Sequence, residues 1–141
     1  RGELFSAYLG GGAYLNGDAI RVSEVDNLSD ALISTGFFYE QNEIMDRTLR
    51  AVRRLFQENI HGVRRTGCAS LDLCWTAAAR FDAFFEYRLG PWDYAAGALI
   101  LTEAGGRATN VDGSELTLST GNVAGYTPAI RETLIKIVGR P

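Results

Sequence analysis

Residues 94–103, YAAGALILTE, would be apolar on nearly every side if they form a helix, and this segment constrains the fold more than any other. A helix that is apolar all round has no face to present to water and must be buried. Gly105 and Gly106 follow it, at the position where glycine often ends a helix. The sequence therefore predicts a buried helix that stops at this glycine pair and carries Asp93 at its amino-terminal end.

Strands and helices alternate along the rest of the chain. The dipeptide Asn16-Gly17 predicts a β-hairpin, and the glycines at 10–12 predict a tight reversal rather than a phosphate loop, because no helical pattern follows them. Pro128 stands where proline often opens a helix. The pattern predicts strands at residues 31–36, 63–67, 83–88, 107–111 and 122–126, and helices at 43–59, 68–80 and 129–138. This alternation predicts an α/β fold in which helices flank a layered sheet.

The helix predicted at 43–59 has the clearest amphipathic pattern. Its four arginines form either a binding patch or the solvated face, and the solvated face is the more common outcome for such a run. Met45, Leu49, Val52 and Phe56 share one face of this helix. The residues expected in the core are Leu49 and Val52, together with Phe84, Leu99 and Leu101 elsewhere in the chain.

Composition limits the partners that the chain can have. A length of 141 residues suggests one domain or a piece of one, and a net charge of −3 argues against a nucleic-acid surface, which is normally basic. No stretch reaches the ~20 apolar residues of a membrane span, and the first residues, RGELFSAYL, do not have the pattern of a signal peptide, so none is expected. In a helix, the Cα atoms of Cys68 and Cys74 would be roughly 9 Å apart, too far for a disulfide. We therefore expect a reduced, cytoplasmic protein without a nucleic-acid or membrane partner.

Carboxylates are the side chains with which this sequence can most readily do chemistry. The chain has one histidine, His61, and it has no serine or cysteine in a nucleophile-elbow context and no Cys/His cluster for zinc. Glu86 ends an apolar strand and Asp93 starts the buried helix, so both acids are expected at one edge of the sheet, where α/β folds bind ligands. Each has a purely structural alternative: Asp93 as a helix N-cap, and Glu86 as an edge-strand acid in water.

The segment PWDYAAGALILTEAGG resembles the C-terminal signature of the inositol monophosphatase family, the magnesium-dependent sugar-phosphate phosphatases. The resemblance extends over nearly the whole chain, through GELFSAYLGGGAYLNGDAI, LISTGF and RRTGCASLDLCWTAAARFDAFFE. It implies that residues 1–141 are the C-terminal part of the αβαβα sandwich of the inositol monophosphatase and fructose bisphosphatase fold.

The same resemblance implies roles for individual residues. Asp93 would be a magnesium ligand, Glu86 would contact substrate hydroxyls, and Gly67, Cys68 and Ala69 would form a backbone turn along the same sugar. Magnesium prefers oxygen ligands, which suits a carboxylate. The implied substrate is a sugar or inositol phosphate, and the intact protein is expected to be a homodimer.

Part of the family pattern does not occur in this chain. An upstream glutamate and the segment Asp-Pro-x-Asp-Gly-Thr, which supply most metal ligands and position the attacking water, are absent. Asp112-Gly113 comes after the signature and is expected to form a surface turn. The chain is therefore expected to be the C-terminal half of a phosphatase, without a catalytic residue of its own and inert by itself. The alternative is a non-catalytic interaction domain that keeps only the fold.

Overall fold

The computed structural model describes residues 2–39 and 42–140 of the chain, which form two sheets and four α-helices. The strands are β1 (Phe5–Ala7), β2 (Ala13–Leu15), β3 (Asp18–Ala19), β4 (Leu32–Thr35), β5 (Gly62–Arg64), β6 (Ala83–Leu89), β7 (Arg107–Thr109) and β8 (Gly121–Tyr126). The helices are α1 (Glu43–Gln57), α2 (Ala69–Ala77), α3 (Pro91–Glu103) and α4 (Arg131–Val138). Short 3₁₀ turns cover Leu28–Asp30 and Pro128–Ile130.

The elements stack in layers, as the alternation of strands and helices predicts. Strands β1, β2 and β3 form a small antiparallel sheet, and the large sheet has the order β5-β4-β6-β8-β7. Helices α1 and α4 pack with one face of the large sheet, and α2 and α3 pack with the other face. Helix α3 also contacts β1 and β2, so it lies between the two sheets. The α/β layered fold is confirmed.

The position of α3 between two sheets explains why its sequence is apolar all round. Tyr94, Ile100 and Leu101 are buried, whereas Leu99, expected in the core, is only half-buried. Gly97 allows α3 to lie close to α2, because a Cβ there would come within 2.8 Å of Leu73 Cβ. The helix ends at Glu103, and Gly105 follows with a φ of 90°. The predicted stop is confirmed.

The predicted hairpin forms between β2 and β3. Leu15 pairs with Asp18, and the two residues between them, Asn16 and Gly17, have φ values of 53° and 92°. Two successive positive φ values are typical of the type I′ turn that Asn-Gly favours. The Asp112-Gly113 pair also forms the expected turn, in which Gly113 has a φ of 84°.

The side of helix α1 that faces the core is rotated from the predicted face. Val52 packs against the core as predicted, and Thr48, Ala51 and Leu55 are buried. Leu49 and Phe56 are 49% and 52% exposed, so the assignment of Leu49 to the core is wrong. The true stripe contains a small and a polar residue, which an apolar pattern does not pick out. Thr48 is tolerated inside because its hydroxyl donates to the Ile44 carbonyl at 3.0 Å.

Two of the four arginines of α1 are neither a binding patch nor a solvated face. Arg47 Nη2 donates to the Gly139 carbonyl at 3.4 Å, and Arg54 Nη1 donates to the Ile137 carbonyl at 3.5 Å and to the Arg140 carbonyl. Carbonyls at a helix C-terminus lack intrahelical partners. The arginines therefore join α1 to the end of α4.

The two cysteines are free, as expected. Cys68 is exposed at the N-cap of α2, and Cys74 is buried within that helix. Over the residues that the structure describes, the helices are too short or too polar to cross a membrane.

Candidate active site

Three parallel strands end at one edge of the large sheet. Strand β4 pairs in parallel with both β5 and β6, so the segments that follow these strands meet there. A cavity of about 600 Å³ opens at this edge, beside the amino-terminal ends of α2 and α3. Ligands of α/β folds commonly bind at the carboxyl ends of parallel strands. All five predicted site residues line this cavity: Gly67, Cys68, Ala69, Glu86 and Asp93.

Glu86 lies on the central strand of the sheet and is half-buried, so its alternative as an edge-strand acid in water is wrong. Its carboxyl lies against the backbone of Gly36, which follows β4. A Cβ on Gly36 would be 2.0 Å from Glu86 Oε2, so only glycine leaves room for the carboxyl in this position. Sequence patterns do not predict this contact between Gly36 and Glu86, because it depends on the register of β4 against β6.

The pKa of Glu86 is raised to about 7, first because the carboxyl is buried, and then because Asp72 and Asp93 carry negative charge nearby. The Arg65 guanidinium, which also lines the cavity, acts in the opposite direction. Near neutral pH, Glu86 therefore exchanges between its acid and its carboxylate form. In the first form it can donate a hydrogen bond to a ligand, and in the second it can only accept one.

Asp93 lies in the first turn of α3, and Gly90 occupies the N-cap. One oxygen, Oδ2, accepts the Gly90 N–H at 2.8 Å, so the carboxylate does satisfy a backbone donor of the helix start. The other oxygen, Oδ1, accepts no hydrogen bond from the described residues. An oxygen donor at the positive end of a helix fits magnesium in kind. It does not fit in number, because residues 2–39 and 42–140 hold no group of three or more His, Cys, Asp or Glu placed to bind a metal.

The turn at residues 66–68 forms part of the cavity wall through Gly67 and Cys68. Gly67 has a φ of 89°, which favours glycine, and Thr66 Oγ1 accepts the Cys68 N–H at 3.4 Å. The Cys68 thiol lies 3.4 Å from Ser70 Oγ. Ala69 begins α2, so the first backbone N–H groups of that helix lie beside the cavity.

Two residues that sequence reasoning missed support the cavity walls. Asp72 in α2 is 1% exposed, and its Oδ2 accepts the Thr66 hydroxyl at 2.8 Å. Tyr94 in α3 is also 1% exposed; its hydroxyl lies 2.7 Å from both the Thr117 and the Ser119 carbonyls and accepts the Ser119 N–H at 3.0 Å. It thereby holds the segment that leads to Thr120, which lines the cavity. Asp72 had one signal, since it is the only acid in the predicted helix 68–80.

Aromatic side chains surround the mouth of the cavity. Trp92 and Tyr39 are 82% and 96% exposed, and Phe38 lies beneath the Arg88 guanidinium, 4.7 Å from ring centroid to Cζ. All four residues line the cavity. The site thus combines an acidic floor with an aromatic and basic rim.

The chain belongs to the inositol monophosphatase family, whose sequence model matches residues 1–140. The family is generally magnesium-dependent. The resemblance stated from the signature segment is confirmed.

Individual relatives match nearly the whole of this chain over only about half of their own length. The putative Nus factor SuhB of Neisseria meningitidis serogroup B is 44% identical over 138 residues, which are 98% of this chain and 52% of that protein. The solved inositol monophosphatase from Anabaena is 36% identical with a TM-score of 0.91, over 99% of this chain and 56% of that one. The extragenic suppressor protein SuhB from Bartonella henselae is 37% identical with a TM-score of 0.89, over 96% and 52%. The chain thus spans about half the length of the relatives it matches.

Proposed function

We propose that the full-length protein containing this chain hydrolyses a phosphate monoester of a sugar or polyol in a magnesium-dependent reaction. The observation that carries the proposal is the grouping of Glu86, Asp93 and the turn at residues 67–69 around one cavity. Family membership supports the reaction class. The identity of the ester is open among inositol phosphate, fructose bisphosphate and histidinol phosphate.

In this proposal Asp93 holds magnesium through Oδ1. Its Oδ2 remains on the Gly90 N–H, which fixes the direction of the carboxylate. When bound, magnesium ions activate a water and neutralise the charge that develops on the phosphoryl oxygens during in-line displacement. The amino-terminal end of α3 adds a favourable partial positive charge for an anionic substrate.

Glu86 and the turn at residues 67–69 orient the polyol. Glu86 hydrogen-bonds a substrate hydroxyl, and its position is fixed from behind by Gly36. Backbone groups of Gly67, Cys68 and Ala69 bind other hydroxyls of the same ring. Holding the ester in line for attack lowers the barrier by converting an encounter into an oriented contact.

The proposal assigns the remaining metal ligands to the rest of the full-length protein. Residues 1–141 would be its C-terminal portion, and by themselves they would be inactive. Asp93 is one carboxylate, whereas magnesium sites usually combine one or two carboxylates with substrate phosphates, and a two-metal site needs more. We further propose that the full-length protein is a cytoplasmic homodimer without a membrane or nucleic-acid partner. The name Nus factor of relatives such as the Neisseria protein fits the absence of a nucleic-acid partner poorly, and that absence stays a prediction.

The test is to purify the full-length protein and its Asp93→Asn variant and to measure phosphate release from the three candidate esters, with magnesium and with EDTA. Magnesium-dependent release from at least one ester, lost in Asp93→Asn, supports the proposal. Release that continues in EDTA or in Asp93→Asn contradicts it.

A second candidate is a non-catalytic role, which the name Nus factor of relatives such as the Neisseria protein favours. It predicts that the Asp93→Asn protein corrects the phenotype of a strain lacking the gene as well as the wild-type protein does. If only the wild-type protein corrects that phenotype, the phosphatase activity is the function that the strain needs.

A further inference from the structure

Asp72 is a buried acid that the proposed reaction does not use. It is 1% exposed and lies in the first turn of α2, beneath the cavity wall. Its Oδ2 accepts the Thr66 hydroxyl at 2.8 Å, and its Oδ1 is buried without a hydrogen-bond partner among the described residues. Burial raises the pKa of Asp72 to about 6. A buried carboxyl with an unpaired oxygen is a costly choice, since an apolar side chain of similar size would avoid the desolvation.

Helix capping does not account for this acid. Carboxylates near a helix start usually accept its free backbone N–H groups, but the described contact of Asp72 is to a side chain outside the helix. Thr66 Oγ1 in turn accepts the Cys68 N–H at 3.4 Å. A chain of two hydrogen bonds thus runs from the buried carboxyl to the backbone of the turn at residues 66–68.

The same carboxyl also lies near β4. The Ser34 hydroxyl contributes to lowering the Asp72 pKa, against the larger effect of burial. Ser34 lies two residues before Gly36, the residue against which Glu86 packs. Residues two apart along a strand lie on the same face of the sheet. Asp72 therefore lies where α2, the turn at 66–68 and the end of β4 come together, and each of these segments contributes to the cavity.

We propose that Asp72 is a positioning residue that holds the turn at residues 66–68 in its ligand-binding shape through the Thr66 hydroxyl. This proposal rests on the proposed function, because it assigns the turn to the substrate-binding wall. The turn would bind substrate equally in the ground state and the transition state. Its distortion should therefore raise KM and leave kcat nearly unchanged.

The test uses the full-length protein with Thr66→Val, which removes the hydroxyl and keeps the shape, and Thr66→Ser, which keeps the hydroxyl. The matched control is Thr48→Val, because Thr48 is a threonine in α1 whose hydroxyl bonds only within its own helix. We expect Thr66→Val to raise KM for the best ester about tenfold, the effect of losing one hydrogen bond to a charged group. Thr66→Ser should restore the wild-type KM, and Thr48→Val should change only the melting temperature.

A second readout does not depend on turnover. Cys68 is exposed in this turn, and Cys74 is buried, so the alkylation rate of Cys68 by iodoacetamide, followed by peptide mass spectrometry, reports the shape of the turn. Thr66→Val and Asp72→Asn should change this rate at least severalfold, and Thr66→Ser should not. Unchanged alkylation and unchanged KM in Thr66→Val overturn the proposal, and so does a loss of kcat and melting temperature without a change in KM. If the wild type hydrolyses none of the esters, the proposed function fails, and the alkylation rates still decide the role of Asp72.

Discussion

The Glu86 carboxyl on β6 packs against the backbone of Gly36, which follows the neighbouring parallel strand β4, and leaves no space for a side chain at Gly36. A Cβ on Gly36 would lie 2.0 Å from Oε2 and 2.4 Å from Cδ of Glu86. The φ of Gly36 is not in the left-handed region, so glycine is needed here for space alone. The position of the proposed substrate-binding carboxylate therefore depends on the absence of a side chain at Gly36.

Gly36→Ala should displace the Glu86 carboxyl, and its main effect in the full-length enzyme should be a higher KM. The overlap is with the end of a side chain, so we expect a stability cost of about 1–3 kcal/mol from overpacking. The control is Gly62→Ala in β5, where the added Cβ would meet an arginine tip at 3.3 Å. Steady-state kinetics and thermal melts of both variants check this. Equal KM values for the two variants would remove Gly36 from the site.

Asp93→Asn should abolish turnover without unfolding α3. The amide oxygen can still accept the Gly90 N–H, so the melting temperature should change little. The lost charge should reduce kcat by about a hundredfold or more, as removal of a key charge-stabilising group does. If Asp93 serves only the helix start, Asn will retain near-normal turnover, and kinetics with melting curves separate the two cases.

Glu86→Gln should make stability less dependent on pH. The pKa of Glu86 is raised from its ordinary value of 4.5 to about 7, so folding favours the protonated form. Its contribution to stability is complete below pH 4.5 and is lost as pH rises to about 7. Urea unfolding of wild type and Glu86→Gln, with EDTA present, should give similar stabilities at pH 4.5 and a more stable variant at pH 8. A gap that widens toward low pH would contradict the raised pKa.

Tyr94→Phe should loosen the segment before Thr120. The variant keeps the buried ring and loses the hydroxyl contacts to Thr117 and Ser119. Each lost hydrogen bond should cost about 1 kcal/mol. Tyr87→Phe is the matched control, since that hydroxyl donates to the Val138 carbonyl on the opposite side of the sheet. We expect both variants to melt earlier and only Tyr94→Phe to raise KM; identical kinetics would limit Tyr94 to a structural role.

This chain, expressed without the rest of the protein, should be inert toward the three esters and should regain activity only when the remaining half is added in trans. Loss of positioning alone can raise a barrier by about 7–11 kcal/mol. The exposed Trp92 and Tyr39 also make self-association of the separate chain an expected result, measurable by sedimentation. Magnesium-dependent turnover by the chain alone, absent in Asp93→Asn, would show that the site is complete within these residues.

The elements that could be predicted are those whose cause is local. Residues 94–103 predict a buried helix because they are apolar all round. Asn16-Gly17 predicts a hairpin because both residues tolerate positive φ values. The edge occupied by Glu86 and Asp93 also followed from local patterns, because the carboxyl end of one strand and the start of the next helix are adjacent in the chain.

What could not be predicted depends on contacts between distant segments. Gly36 is required by the register of β4 against β6, which no stretch of sequence records. The core-facing side of α1 is not predicted correctly, because it includes a polar residue, Thr48. The Thr48 hydroxyl donates a hydrogen bond within its own helix, which allows the residue to be buried. The sequence of α1 predicts Arg54 as a surface charge, because its contact with the Ile137 carbonyl at the end of α4 joins two distant segments.

The burial of α3 between two sheets has a mechanical consequence. A helix packed on both sides cannot tilt or slide without disrupting its contacts with both sheets. The position of Asp93 relative to the two sheets is therefore fixed. Under the proposed function, adaptation to a different ester would then fall to rim residues outside α3, such as Phe37, Phe38 and Tyr39. Under the proposed function, substrate choice and metal placement would thereby be separated, so that one could change while the other stays the same.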